Sequence, residues 1–376
     1  MVKNDDQKSL KPRLSRILDW FQIPFRIIST KINPKTALNQ HDFETKYLAD
    51  FAMSEAIPGI SLFTAIKNRH DNFEEVLQSW LMHKQISEII IVDWDSEKSL
   101  APLIQKYQDG RIILAEVKNQ PKWVLSHAFN LSARLTTRNR LLKMDADVKI
   151  MPSFFKCHDL KPGNFYCGNW QNRRNDNEKH LNGTVYLYRD DFITVNGYNE
   201  FIKTYGWDDT DLYKRLQELG LKRNDFEYDT LFHIPHNKRI IHQDKPDFLK
   251  RLTDEECAAF YIFLNRLLGS KFGIWTKNHS ILPFFITKKG NHFYECVQAA
   301  NDQNHITEDK LRQSENIAII ERLIVIDGKL SPALLKKTGM EELILLYNLY
   351  FEKKTNPDSK ERYEIMSKSF YEVIDN

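Results

Sequence analysis

The chain has 376 residues, 41% of them apolar and 28% charged, the balance of a folded globular protein and not of a disordered or membrane-spanning one. Its 54 basic and 51 acidic side chains leave a formal net charge of +3, which gives no bulk electrostatic reason to expect nucleic acid as a partner. Cys157, Cys167, Cys257 and Cys296 are widely spaced with no CxxC pair, a usage that suits a reducing compartment and predicts a cytoplasmic protein.

Residues 1–57 read as a leader. Residues 1–11 are polar and show no signal-peptide pattern. Residues 10–32 interleave Lys11, Arg13, Arg16, Arg26 and Lys31 with large apolar side chains such as Trp20, Phe21 and Ile27. Such a segment can lie peripherally on the inner face of a membrane, or pack as an arm on the domain. Pro24 would interrupt any helix through it. No run reaches the roughly 18 apolar residues that a membrane span requires.

From residue 58 to 250 the pattern predicts an α/β domain. Residues 60–66 (ISLFTAI) and 88–92 (EIIIV) read as buried strands, and residues 72–83 between them as an amphipathic helix. A helix over 100–107, a strand over 111–117, a helix over 124–137 and a strand over 140–144 follow. Strands alternating with helices imply a mostly parallel, Rossmann-like sheet with helices on both faces. Ligands of such sheets bind beyond the carboxyl ends of the strands. Residues 251–376 have a helical texture: Thr253 and Glu256 have capping-box spacing, and 331–353 and 360–374 carry helical periodicity.

The polar residues after the strands are the candidates for chemistry. Asp145 and Asp147 flank one small residue at the end of a buried strand, where two carboxylates can share Mn2+ or Mg2+. A bound diphosphate would complete that shell. Residues 64–69 (TAIKNR), at the end of the first strand, offer a hydroxyl (Thr64), an amide (Asn68) and two cations (Lys67 and Arg69) to a nucleotide. An ordinary polar loop would read the same. Asp93, after the second strand, can accept hydrogen bonds from a base or ribose, or cap a turn. Asp208, Asp209 and Asp211 crowd three carboxylates into four residues. That crowding can raise one pKa for use as a base, and it also suits the first turn of a helix over 212–219. His233 and His236, downstream of the Asp pair, are candidate metal ligands.

These blocks, in this order, resemble the GT-A glycosyltransferases of the family 2 type over roughly residues 59–245. The stretch Leu181-Asn182-Gly183-Thr184-Val185, then Phe192-Ile193-Thr194-Val195-Asn196-Gly197-Tyr198, then Gly206-Trp207-Asp208-Asp209-Thr210-Asp211 is more specific. It is similar to the C-terminal catalytic segment of β-1,4-galactosyltransferases and bacterial chondroitin-polymerase-like enzymes.

The resemblance implies a metal-dependent transfer of galactose, N-acetylgalactosamine or N-acetylglucosamine from a UDP-sugar to a glycan or glycoconjugate hydroxyl. Asp147 would be the main metal ligand, helped by Asp145 and by His233 or His236. Asp93, Asn68 and Arg69 would hold the nucleotide, and Gly183 would leave room for the donor sugar. Asp209 would be the base, beside Asp208, and would give inversion at the anomeric carbon. Asn182-Gly183 stands in place of Gly-Gly, Tyr205 in place of the acceptor-stacking Trp, and Thr210 in place of an acceptor-binding Asp. Tyr205, Trp207 and Asp211 are left as acceptor candidates, with Trp207 offering a stacking face. A sugar-1-phosphate nucleotidyltransferase would want a Gly-rich phosphate loop, which residues 64–69 lack. A glycan-binding module that had lost catalysis would not need Asp145, Asp147 and Asp209. A retaining transferase would differ in the anomeric configuration of its product.

Overall fold

The computed structural model describes residues 45–48, 51, 55–235, 258, 261–262, 265, 275–277, 280–290 and 292–299. In chain order these form β1 (Thr45–Leu48), β2 (Ile57–Ile66), α1 (Phe73–Leu81), β3 (Ile86–Trp94), α2 (Ala101–Gln105), β4 (Ile112–Lys118), α3 (Leu125–Arg134) and β5 (Arg138–Lys143). There follow β6 (Val148–Ile150), α4 (Phe154–Cys157), β7 (Asn164–Cys167), β8 (Val185–Tyr188), α5 (Arg189–Thr194), α6 (Asp208–Glu218), β9 (Lys222–Asp225) and β10 (Leu231–His233). The hairpin β11 (Phe284–Lys288) and β12 (Phe293–Gln298) closes the list.

One sheet runs in the order β1-β11-β12-β4-β3-β2-β5-β8-β7-β9. Its centre, from β12 through β4, β3 and β2 to β5, is parallel throughout. The flanks are mixed: β5–β8, β7–β8, β11–β12 and β1–β11 are antiparallel. Nearly every residue of β3 is buried, as a strand covered on both faces must be. Side chains alternate between the two faces. Phe63, Ala65, Ile90 and Val92 pack with Phe129 of α3, while Leu62, Ile66, Ile89 and Ile91 pack with Phe73, Val76 and Trp80 of α1. The latter three sit at i, i+3 and i+7 and form the buried stripe of α1.

The parallel centre delivers the ends of β2, β3 and β5 to one edge, as the alternating sequence pattern predicts. A small second sheet, β6 paired with β10, lies beyond that edge and sets His233 opposite Val148. Helix α1 fixes this annex. The Trp80 indole donates to the Val148 carbonyl at 3.0 Å, and the Ile150 N–H donates to Ser79 Oγ at 3.2 Å.

The expected boundary at residue 250 does not divide sheet from helix. Residues 284–298 are strands of the main sheet, and β12 lies parallel beside β4. Ala258, Tyr261, Ile262 and Asn265 are helical, in keeping with the capping-box signal before them. Residues 10–32, His236 and the helical expectations at 331–353 and 360–374 lie outside the described residues. Among the described residues no helix is long and apolar enough to cross a membrane.

Candidate active site

The loops after β2, β3 and β4 are tied together by Lys67, one of the two cations in the block at residues 64–69. Its buried ammonium donates to the carbonyls of Trp94, Asp95 and Gln120 at 2.8–3.0 Å. Burial pulls its pKa down, against the neighbouring Asp95 and Asp93. Asp93 accepts the N–H groups of Ser96 and Leu100, each at 3.2 Å. Burial raises its pKa despite those bonds. The structure thus shows Asp93 capping the turn after β3. Asn68 has left-handed φ (53°), and its side-chain oxygen accepts the Glu97 N–H at 2.8 Å. Thr64 lies inside β2, buried, with a hydroxyl that has no hydrogen-bond partner.

The Asp145–Asp147 pair sits directly after β5. Asp147 Oδ2 is 2.9 Å from an Arg69 guanidinium nitrogen and 3.7 Å from His233 Nε2. The structure therefore brings the three predicted residues together. His233 is held by Asn177, which exchanges two hydrogen bonds with its backbone at 2.6 and 2.9 Å. His180 stacks on the His233 ring with centroids 4.5 Å apart. Neither Asn177 nor His180 carries a local sequence signal. A carboxylate and an imidazole this close form an oxygen–nitrogen donor pair that suits Mn2+. Among the described residues no three His, Cys, Asp or Glu side chains converge into a fuller metal cluster.

Asp145 turns the other way, toward Lys143. The Lys143 ammonium is fully buried, 2.7 Å from Asp145 Oδ1 and 3.5 Å from Asp209 Oδ1. It lies 4.1 Å from the centre of the Phe129 ring, within cation–π range. Burial opposes its charge, but the Asp145 and Asp209 carboxylates outweigh burial and hold it above the ordinary lysine range. Gly183 makes this arrangement fit. A Cβ there would collide with the Asp145 carboxylate and stand 3.0 Å from Lys143 Nζ. Asp145 Oδ2 thus fills the space that a side chain at position 183 would need.

Asp208 and Asp209 open α6. The turn into the helix passes through Trp207, whose φ of 68° is rare for a bulky residue and signals local strain. Asp208 is 4% exposed and its Oδ2 has no hydrogen-bond partner. Burial, then the adjacent Asp209 charge, push its pKa well above the ordinary value. Burial also raises Asp209, opposed by Lys143 and reinforced by Asp145. The Tyr198 hydroxyl donates to Asp209 Oδ1 at 3.1 Å. Asn130 of α3 in turn fixes Tyr198: its amide donates to the Tyr198 carbonyl at 2.9 Å and its oxygen accepts the Tyr198 N–H at 2.8 Å.

Asp211 turns inward onto Arg215. It is buried, and its Oδ2 lies 2.7–2.8 Å from two guanidinium nitrogens of Arg215. Arg215 also donates to the carbonyls of Val195 and Gly197. This i, i+4 pair clamps α6 to the loop after α5, which corrects the expectation that Asp211 binds an acceptor. Tyr205 is 46% exposed, and Trp207 carries the Lys214 ammonium 5.5 Å above its ring. These two remain on the accessible side of the loop.

A family model described as the N-terminal domain of galactosyltransferase matches residues 164–237. That span includes Gly183, the Asp208–Asp209 pair and His233. The match makes this segment similar to the galactosyltransferases, set here on a mixed α/β sheet with a parallel centre. Among solved structures, the catalytic domain of Drosophila β1,4-galactosyltransferase 7 in complex with xylobiose is similar, with 11% identity and a TM-score of 0.44, over 66% of this chain and 97% of that one. GalNAc-T7 with UDP, GalNAc and Mn2+ aligns at 11% identity and a TM-score of 0.40, over 54% of this chain and 50% of its own. A mannosyltransferase from Pyrobaculum calidifontis, in complex with GDP-Man and Mn2+, aligns at 13% identity and 0.38, over 58% and 62%. No curated protein matches the chain by sequence.

Proposed function

We propose that this domain transfers a sugar from a nucleoside-diphosphate donor to a glycan hydroxyl, with UDP as the carrier and inversion at the anomeric carbon. Galactose, N-acetylgalactosamine and N-acetylglucosamine are the donor sugars the reading favours. The observation that carries it is the Asp208–Asp209 pair at the start of α6, joined to Asp145 through the single buried ammonium of Lys143. That arrangement supports reading Asp209 as a base near the carboxyl ends of β2, β3 and β5. A cytoplasmic site of action, with residues 10–32 touching a membrane surface, belongs to the same proposal.

Lys143 and Tyr198 both contact Asp209 through Oδ1. Oδ2 is then the oxygen that takes the acceptor proton. Raised by burial and held in place by these two contacts, Asp209 has the character of a general base. Asp147 and His233 would hold the divalent cation, with Asp145 toward the donor ribose. A bound divalent cation offsets charge on the departing diphosphate. Arg69, already beside Asp147, adds a fixed positive charge at the same edge.

The test is donor hydrolysis by the purified protein. UDP-, GDP- and dTDP-sugars are screened with Mn2+, Mg2+ or EDTA, following release of the nucleoside diphosphate. The expected result is metal-dependent turnover of one donor, lost in Asp147→Ala. Asp209→Asn should lower transfer by roughly 10²–10⁴, the usual contribution of a general base. Full activity in Asp209→Asn would remove Asp209 from that role.

A further inference from the structure

Residues outside the family-matched segment reach the acceptor side of the site. Ala258, Tyr261, Ile262 and Asn265 are helical and fall at i, i+3, i+4 and i+7, one face of a helix. Ala258 and Asn265 on that face are buried. The face meets the irregular loop of residues 204–207, which leads through Trp207 into the Asp208–Asp209 pair.

Asn265 accounts for the shape of that loop. Its side-chain amide donates to the carbonyls of Thr204, Tyr205 and Gly206 at 3.3, 3.1 and 2.8 Å. Its oxygen accepts the Thr204 hydroxyl at 3.0 Å. A loop outside helix and sheet must find partners for its carbonyls elsewhere, and one side chain here serves three in succession. Gly206 has φ +84°, and a Cβ on it would stand 2.6 Å from Ile262 Cγ1. Ile262 is thus seated against the bare glycine while remaining 37% exposed.

We infer that residues 262 and 265 complete the acceptor site. Asn265 is a positioning residue that fixes the loop presenting Tyr205 and Trp207, and Ile262 adds an apolar surface for the C–H face of an acceptor pyranose. Tyr205, Trp207 and Ile262 then line one lip beside Asp209. A sugar ring suits such a lip because one of its faces is apolar and packs on aromatic and aliphatic side chains. The inference rests on the glycosyltransferase reading above and deepens it. It gives this part of the C-terminal segment a role in choosing the acceptor.

The test compares the full-length wild type with Asn265→Leu and Ile262→Ala in three measurements. These are hydrogen exchange over residues 203–210 followed by mass spectrometry, donor hydrolysis, and transfer to p-nitrophenyl glycosides of N-acetylglucosamine, galactose and xylose. Asn265→Leu is expected to speed exchange over 204–209 at least tenfold. It should raise the acceptor KM at least fivefold and keep donor hydrolysis within twofold. Ile262→Ala should raise the acceptor KM with exchange and hydrolysis unchanged. Unchanged exchange in Asn265→Leu would overturn the positioning role. Hydrolysis falling in parallel with transfer, or an unaltered acceptor KM in both variants, would overturn the acceptor assignment. A wild type without hydrolysis or transfer would overturn the functional reading and the acceptor role with it, while the exchange data would still decide whether Asn265 orders the loop.

Discussion

Asp208→Asn should make the protein more stable. Asp208 is buried, one of its oxygens has no partner, and the Asp209 carboxylate stands beside it. An unsatisfied buried polar group costs about 1–3 kcal/mol. An asparagine of the same shape removes the charge and can donate its amide to Asp209. A gain of about 1–2 kcal/mol is reasonable on that basis. At about 2–4 °C per kcal/mol for a domain of this size, Tm should rise by about 2–8 °C. The gain must depend on pH. Burial and Asp209 raise the folded-state pKa of Asp208 above its ordinary 3.8, so the folded protein keeps this proton to higher pH than the unfolded chain. The wild type's stability from this group is therefore complete below pH 3.8 and is lost as pH rises through the folded pKa. The variant has no such loss, so its advantage should be absent at pH 4 and widen toward neutrality. Thermal melts of both proteins from pH 4 to 8, without metal or donor, measure this directly. A lower Tm in the variant at pH 8, or a difference that does not change with pH, would refute the reasoning. Transfer should fall in the same variant, since functional sites often hold residues that stability alone would not select.

Lys143→Met removes the one cation among three carboxylates. Losing one partner of a buried ion pair costs about 3–5 kcal/mol, and the 30% exposure of the Asp145 side chain places the expectation at the lower end. A Tm within 2 °C of wild type would contradict it. The Asp211–Arg215 clamp should show a coupling energy of about 1–3 kcal/mol in a double-mutant cycle of Asp211→Asn and Arg215→Met, read by urea denaturation. Zero coupling would mean the pair holds nothing together. Gly183→Ala should push Asp145 off Lys143, lowering Tm and raising the donor KM, both measurable in the melting and hydrolysis assays.

The sheet was legible where burial and periodicity agree. EIIIV is followed by Asp93, and RLLK by Met144 and Asp145, so a switch from apolar to acidic residues marks the carboxyl ends of two parallel strands. The 3.6-residue stripe of α1 is likewise explicit. The hairpin at 284–298 also has a local signal, FFITK and FYECVQ around Gly290, but capping and helical periodicity on either side of it predict a different texture for the segment. The site was legible as a set of residue types, and less so as a set of roles. Asp211 stands in the same acidic cluster as Asp209, and only the carbonyls of Val195 and Gly197 on Arg215 show that it faces inward. Lys143, Asn130, Asn177 and Asn265 escape motif reasoning for one physical reason. Each is a single polar side chain whose partners include groups 56 to 68 positions away, so its meaning exists only once the chain has folded.

The pairing of β12 with β4 bears on how the molecule is made. Thr45 of β1 pairs with Thr287 of β11, a contact spanning about 240 positions, and contacts this distant in sequence form late and slowly. Until residue 298 has left the ribosome, Ile112–Lys118 (IILAEVK) is an open parallel edge with mostly apolar side chains. Exposed edges of that kind recruit other strands and seed aggregation. A fragment ending near residue 250 would leave the outer edge of β4 open permanently, so soluble expression should require the chain to continue through the hairpin.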